Sequence, residues 1–127
     1  MSMPNPYLQY QQNAVKSVGP GELTSMLYDG LVKYIRLSIM SIENKDLKAC
    51  HNYLLRAQEI LAHLNETLDF QYEISKNLST LYDYMIRRLM QANVKKDSDI
   101  AAEVLGLAGE LRETWRQALK LAKENDR

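Results

Sequence analysis

The residues best suited to metal or nucleophilic chemistry are two histidines and one cysteine, His51, His63 and Cys50. A di-iron site in a helical bundle needs Glu-x-x-His pairs, but Lys48 and Ile60 stand three residues before the two histidines. The histidines are 12 residues apart, which places them about 120° apart around one helix, so they cannot share a metal from one face. We therefore expect no metal site and no cofactor.

Other catalytic patterns are weak or missing in the sequence. Cys50 lies on a regular apolar seam without a pattern of basic neighbours, which is typical of a small core residue rather than a nucleophile. We find no glycine-rich phosphate loop and no defensible Ser/His/Asp arrangement. Acidic and basic residues four apart, Asp29 with Lys33 and Asp83 with Arg87, are typical of solvated pairs on helices. The sequence therefore predicts that the protein is not an enzyme.

Composition narrows the class of protein further. The 127 residues suffice for one domain, and 46% hydrophobic and 25% charged residues are ordinary for a globular protein. Sixteen basic and sixteen acidic residues give a net charge of +0, so we expect no nucleic-acid partner and no attraction to anionic membranes. Neither a signal peptide nor an apolar run of the roughly 20 residues that a membrane span requires is present. We predict a cytoplasmic protein without membrane insertion.

Five glycines and three prolines are few for this length and favour long helices. Hydrophobic spacing predicts the first helix over about 20–44. The second is expected over about 46–68, with Asp46 as its N-cap. The second helix carries a regular heptad seam, which consists of Leu47, Cys50, Leu54, Ala57, Leu61, Leu64 and Leu68.

Two further helices complete the predicted fold. The third helix begins between Asp69 and Ser75, and its apolar pattern weakens at 93–96. Asp97 then caps the fourth helix. Because the connections are short, neighbouring helices must be antiparallel. We predict an all-α fold, an antiparallel up-down four-helix bundle over 20–127. A mobile N-terminal arm or short extra helix at 1–19 precedes it.

The first helix carries two adjacent apolar stripes, although a helix buried on one face needs only one. One stripe consists of Leu23, Leu27, Gly30, Tyr34 and Leu37. The second consists of Tyr28, Val32, Ile35, Ile39 and Ile42. We interpret Tyr28, Ile35, Ile39 and Ile42 as a candidate partner groove, with ordinary core packing as the alternative.

Tyrosines supply the other candidate binding residues. Eight of the ten aromatic residues are tyrosine. Tyrosine tolerates partial exposure of its ring to water and is enriched at interfaces. The arm carries Tyr7, Leu8 and Tyr10 with almost no charge, so it is expected to cover the spare apolar stripe or to bind a partner. Tyr72 and Tyr82, near the start of the third helix, are weaker candidates.

Five segments spread along nearly the whole chain occur in the order of a known family. They are Tyr10–Asn13, PGELTSMLYDG (20–30), LNETLD (64–69), LYDYMIRRLMQAN (81–93) and RETWRQAL (112–119). This ordered set resembles the flagellar secretion chaperones, the FliS proteins. Gly19 departs from the pattern, because relatives often have Ser or Thr before Pro20. Glycine caps a helix less strongly, so the start of the first helix is expected to be looser.

The resemblance implies a cytoplasmic antiparallel bundle that binds the disordered C-terminal region of flagellin. It implies that this binding prevents premature polymerisation and delivers flagellin to the export gate. It also implies an N-terminal segment that docks on its own bundle and moves when flagellin binds. We expect a monomer or weak homodimer. Two alternatives stay open: a self-associating bundle with a structural or adaptor role, and a bundle enzyme or metal carrier.

Overall fold

A computed structural model describes residues 21–125 of the chain. Within that range four α-helices and no strands are present. They are α1 (Gly21–Glu43), α2 (Leu47–Glu66), α3 (Glu73–Lys95) and α4 (Ser98–Asn125). The expected arm at 1–19, with Tyr7, Leu8 and Tyr10, lies outside the described residues.

The four helices form a closed ring. α1 contacts α2 and α4, and α3 contacts the same two helices. Only short connections join successive helices, so each runs antiparallel to the one before it. The predicted all-α, up-down four-helix bundle is confirmed.

Most predicted helix starts are correct because their caps are visible in the sequence. Asp46 Oδ1 accepts a hydrogen bond from the Ala49 amide at 3.1 Å, and Asp97 Oδ1 accepts one from the Ile100 amide at 3.3 Å. These carboxylates satisfy amides that have no partner inside the helix. Tyr72 precedes α3 without a side-chain cap, which explains why the sequence did not locate that start.

Asp69 and Ser75, the two candidate caps of the third helix, organise the preceding turn instead. The Asp69 carboxylate accepts a hydrogen bond from the Gln71 amide at 3.1 Å. Ser75 Oγ donates to the Asp69 carbonyl at 2.7 Å, from a position that is fully buried inside α3. Together these bonds tie the loop after α2 to the first turn of α3.

The core corrects our assignment of the two stripes on α1. The second stripe, interpreted as spare surface, faces inward, and its buried or partly buried members are Tyr28, Val32, Ile35, Ile39 and Ile42. In the first stripe, Leu23 is 46% exposed and Leu37 is half-buried. The Tyr34 ring of that stripe stacks on Tyr53 of α2, with centroids 6.2 Å apart. Leu27 and Tyr34 of the first stripe also pack against the core. Both stripes therefore contribute to it, and only helix packing decides which stripe is buried more deeply.

The heptad seam of α2 is confirmed except at its first position. Leu47 is 51% exposed, whereas the other seam residues are buried. The facing helices complete the core with buried side chains at Tyr82, Met85, Leu89 and Ala92 of α3 and at Val104, Ala108 and Trp115 of α4.

Two glycines inside α4 have no packing role in the described bundle. A Cβ at Gly106 or Gly109 would meet no other atom within 4 Å. We expect alanine at either position to raise the free energy of unfolding by about 1 kcal/mol, because glycine weakens a helix interior. Urea denaturation measures this change. Alanine at Gly30 is the control. It should raise the free energy of unfolding by less, because its Cβ would lie 3.2 Å from Ile60 Cδ1. No gain at Gly106 and Gly109 would contradict the prediction.

Candidate partner-binding site

The predicted site residues within 21–125 fall into two groups. Tyr28, Ile35 and Tyr82 are buried in the core. Ile39 and Ile42 are half-buried and pack against that core, and Tyr72 is half-buried before α3. The structure brings Tyr28 and Tyr82 together but leaves neither of them on the surface. Their role in partner binding stays a prediction.

Tyr28 and Tyr82 form a buried polar pair between α1 and α3, and their hydroxyl groups are hydrogen-bonded to each other. Burial raises the pKa of the Tyr28 phenol to about 12. Burial is also the main cause that raises the pKa of Tyr82, and the neighbouring Tyr28 raises it further. Both phenols are therefore neutral at physiological pH, and each gives the other a hydrogen-bond partner inside the core.

Trp115 of α4 fixes the first turn of α1. Its indole Nε1 donates to Ser25 Oγ at 3.0 Å and to the Gly21 carbonyl at 3.2 Å. Its ring also lies 6.3 Å from the Tyr28 ring between centroids. The point where residues 1–20 join α1 is therefore held against α4.

The exposed apolar surface of the described residues lies on three helices and one loop. The large exposed hydrophobic side chains are Leu23, Met26 and Met40 on α1, Leu47 and Leu55 on α2, Phe70 in the following loop, and Met90 and Val94 on α3. Within the described range, none of them lies on α4. A partner that covers apolar surface would therefore contact α1, α2 and α3.

Part of this surface lies on one face of α1 as two short clusters, which together we call the α1 outer stripe. Leu23 and Met26 form the first cluster, Met40 and the half-buried Leu37 form the second, and the exposed Lys33 stands between them on the same face. Met26 is 69% exposed and Met40 is 54% exposed. Unbranched methionine side chains adapt to irregular partners and recur at binding surfaces.

A second feature, which we call the α2–α3 cleft, lies where α2 ends and α3 begins. Its volume is about 360 Å³, and its lining residues are Ala62, Asn65, Glu66, Phe70, Ser79 and Ile86. The Asn65 amide nitrogen donates to Asp83 Oδ1 at 3.1 Å. This exposed bond links the two helices beside a partly apolar cleft.

Polar contacts occupy the two edges of α4. On the α1 side, Asp29 lies 3.2 Å from Arg116 rather than pairing with Lys33 as the sequence suggested. On the α3 side, Glu103 accepts from Arg88 Nε at 2.7 Å. The Arg88 hydrogen bond is the main cause that lowers the pKa of the Glu103 carboxyl. α4 thus presents charge where the other helices present apolar side chains.

Cys50 and His51, which the sequence offered for nucleophilic or metal chemistry, make structural contacts within the bundle. Cys50 is buried, and burial is the main cause that raises the pKa of its thiol. His51 Nδ1 lies 2.8 Å from the Asn93 amide nitrogen, a contact between α2 and α3. Over 21–125, no group of three or more His, Cys, Asp or Glu residues could hold a metal ion. Among the described helices, none combines the length and hydropathy needed to cross a membrane.

Sequence comparison identifies the family. The family model described as flagellar protein FliS matches residues 3–122. The chain belongs to the FliS family. Among its relatives, the flagellar secretion chaperone FliS of Bacillus subtilis is 45% identical over 125 residues, which cover 98% of this chain and 94% of the relative.

More distant FliS relatives extend the similarity across bacteria. The flagellar secretion chaperone FliS of Salmonella typhimurium is 39% identical, with 84% of this chain and 81% of the relative covered. That of Campylobacter jejuni is 31% identical, with 87% and 88% covered. The resemblance stated from the ordered motifs is confirmed, and the named relatives are chaperones.

Sequence reasoning missed the α2–α3 cleft and the solvent-facing methionines of the FliS bundle. Leu55, Met90 and Val94 are apolar residues that stand outside the predicted seams. Apolar residues out of register with a seam are the signal that would have located this surface, since a helix has no internal use for them.

Proposed function

We propose that the chain is a cytoplasmic export chaperone that binds the disordered C-terminal region of flagellin. In this role it prevents premature polymerisation and delivers flagellin to a component of the flagellar export gate. Membership of the FliS family supports the proposal. The observation that carries it is the exposed apolar surface on α1, α2 and α3, with none of the large exposed hydrophobic residues described on α4.

The chemistry of that surface suits a client of this kind. Flagellin assembles by packing its terminal helices, so a chaperone must cover their apolar faces. Grooves between antiparallel helices accept an amphipathic helix. Because the apolar residues are spread over three helices, an extended client that wraps the bundle can contact all of them. Such a client buries a large area but loses part of that gain to its own ordering.

We also propose that residues 1–19 act as an arm that covers the apolar surface of the empty chaperone. Tyr7, Leu8 and Tyr10 are the contacts we assign to it. An arm that occupies the client surface lowers the apparent affinity for the client. It also protects the exposed methionines and leucines of α1 from aggregation. Ile39, Ile42 and Tyr72 remain candidate contacts at the edges of the surface.

The proposal is tested by titration calorimetry with a peptide from the C-terminal end of flagellin. We expect saturable one-to-one binding with a negative heat-capacity change, because apolar area is buried. With a net charge of +0, binding should weaken only mildly between low and moderate salt. A variant that lacks residues 1–17 should bind more tightly and be less soluble.

Each alternative gives a distinct result in the same experiment. No binding by either protein would contradict the proposed function. An equally soluble deletion variant would contradict the role of the arm. A dimer whose mass does not change on dilution would favour a self-associating structural bundle.

A further inference from the structure

Lys33 stands between the two clusters of the α1 outer stripe and interrupts its apolar side chains. Met26 and Met40 lie seven residues before and after it, and seven residues are close to two helical turns. The three side chains therefore follow one line along α1, and all three are exposed. A helix that lies along this line meets an apolar side chain, a positive charge and a second apolar side chain in turn.

The charge of Lys33 has no carboxylate partner within residues 21–125. Asp29 stands four residues before Lys33, the usual spacing of an ion pair on a helix. Asp29 instead lies 3.2 Å from Arg116 and 3.9 Å from Arg112, both on α4. No other acidic residue stands within four positions of Lys33, whereas Arg36 does. This part of α1 therefore has an excess of positive charge.

The facing side of α2 adds positive charge rather than negative. Lys33 Nζ lies 5.1 Å from the centroid of the Tyr34 ring, and that ring stacks on Tyr53 of α2. The residues three and four positions from Tyr53, which share its face of α2, include Arg56 and no acidic residue. Arg56 is exposed and forms no ion pair with a described residue. The contact between α1 and α2 therefore attracts an anionic group from outside the bundle.

Charge complementarity distinguishes the possible occupants of this line. Residues 1–19 contain no Asp or Glu, and their only charged side chain is Lys16. The arm proposed above can therefore cover the methionines, but it cannot neutralise Lys33. A partner helix with one acidic residue, and with an apolar residue about two turns to either side of it, complements all three positions.

We propose that Lys33 binds a carboxylate, Asp or Glu, of a helical part of the client segment, while Met26 and Met40 bind apolar side chains of the same helix. The ammonium group donates a hydrogen bond to that carboxylate. Because the arm has no carboxylate to offer, this contact favours the client over the arm at the same surface. The inference rests on the proposed function and adds to it a residue that determines specificity.

Titration calorimetry with the C-terminal flagellin peptide tests this contact. The probes are the unchanged peptide and versions in which each Asp or Glu in turn is replaced by Asn or Gln. Lys33→Gln should weaken binding of the unchanged peptide by about fivefold, the upper range for an ion pair that keeps contact with solvent. One substituted peptide should bind the wild-type chain about fivefold more weakly and show no further loss with Lys33→Gln.

Charge reversal gives a readout that a folding defect cannot imitate. Lys33→Glu should weaken binding of the unchanged peptide more than Lys33→Gln does, because like charges then meet. A peptide in which the identified acidic residue is replaced by lysine should recover binding to Lys33→Glu but not to the wild type. Lys120→Gln removes the same charge at an exposed position of α4 and should bind like wild type. All three variants should keep the wild-type melting temperature, because both positions are exposed.

The outcomes distinguish this inference from the proposed function. Equal binding by wild type and Lys33→Gln, or an equal loss for Lys33→Gln and Lys120→Gln, would contradict the inference and leave the proposed function in place. A loss with Lys33→Gln that no substituted peptide reproduces would mean that Lys33 acts through the arm, which also contradicts the inference. A wild-type dimer that Lys33→Gln dissociates would make a second copy the occupant instead. If the unchanged peptide does not bind the wild type, the proposed function is contradicted as well.

Discussion

Replacing Tyr82 by alanine should lower the free energy of unfolding by about 3–5 kcal/mol, the range for truncating a large buried aromatic residue. The side chain is fully buried, so its removal leaves a cavity between α1 and α3. The Tyr28 hydroxyl also loses its hydrogen-bond partner. Urea denaturation monitored by helical circular dichroism measures the effect. A loss below about 1 kcal/mol would mean that the core closes around the gap, contrary to the close packing expected.

Phenylalanine substitutions separate the contribution of the two hydroxyl groups to stability from the contribution of ring packing. Tyr82→Phe keeps the ring but leaves the Tyr28 hydroxyl buried without its partner, which should destabilise by about 1–3 kcal/mol. Adding Tyr28→Phe removes the unpaired group, so the double variant should be more stable than the sum of the single losses predicts. Strict additivity would show that the two hydroxyls do not depend on each other.

Alkaline titration provides a second readout of the same pair. In the unfolded chain both phenols ionise near pH 10, whereas burial raises the pKa of Tyr28 to about 12 and also raises that of Tyr82. Between pH 10 and 12 the unfolded state therefore holds fewer protons than the folded state, and stability falls as the pH rises. The stability contribution is complete below pH 10. The double phenylalanine variant should lose less stability over this range.

Replacing Met26 by glutamate together with Met40 by lysine should weaken client binding by more than about a hundredfold. Each methionine contributes about 1.5–3 kcal/mol if the client buries it fully, and about 1.4 kcal/mol is a tenfold change in affinity. The opposite charges keep the net charge unchanged. Lysine at position 40 lies in the last turn of α1, where a positive charge suits the helix dipole. Calorimetry with the C-terminal flagellin peptide measures the loss.

A matched pair on α4 controls for the new charges. Ala102→Glu with Gln117→Lys places the same charges at exposed positions of α4, where none of the described large hydrophobic residues is exposed. This variant should bind the client like wild type, and both double variants should keep the wild-type melting temperature. Equal losses for the α1 and α4 variants would contradict a client surface on α1.

The fold was predictable because its signals are local. Asp46 and Asp97 are helix-capping residues that mark the starts of α2 and α4. The apolar seam of α2 repeats at heptad spacing over its whole length. The start of α3 was not predictable, because Tyr72 offers no capping oxygen and the turn is held by the backbone carbonyl of Asp69.

The candidate site was less predictable because it depends on how helices are rotated against their neighbours. Spare apolar surface on α1 was expected, but Tyr28 and Ile35 face the core while Met26 and Met40 face solvent. The hydrogen bond from the Asn65 side chain beside the α2–α3 cleft reaches Asp83, 18 residues away on the next helix. No spacing rule within one helix contains that information.

The closure of the ring between α1 and α4 has a practical consequence for protein engineering. Trp115 and Leu119 contact Gly21, so α4 ends beside the start of α1, at the end of the bundle that also holds the α2–α3 cleft. A flagellin peptide fused after α4 through a short flexible linker would begin near the client surface that we propose. Its effective concentration there would be in the millimolar range. Such a single-chain fusion would keep even a weak complex assembled during crystallisation or spectroscopy.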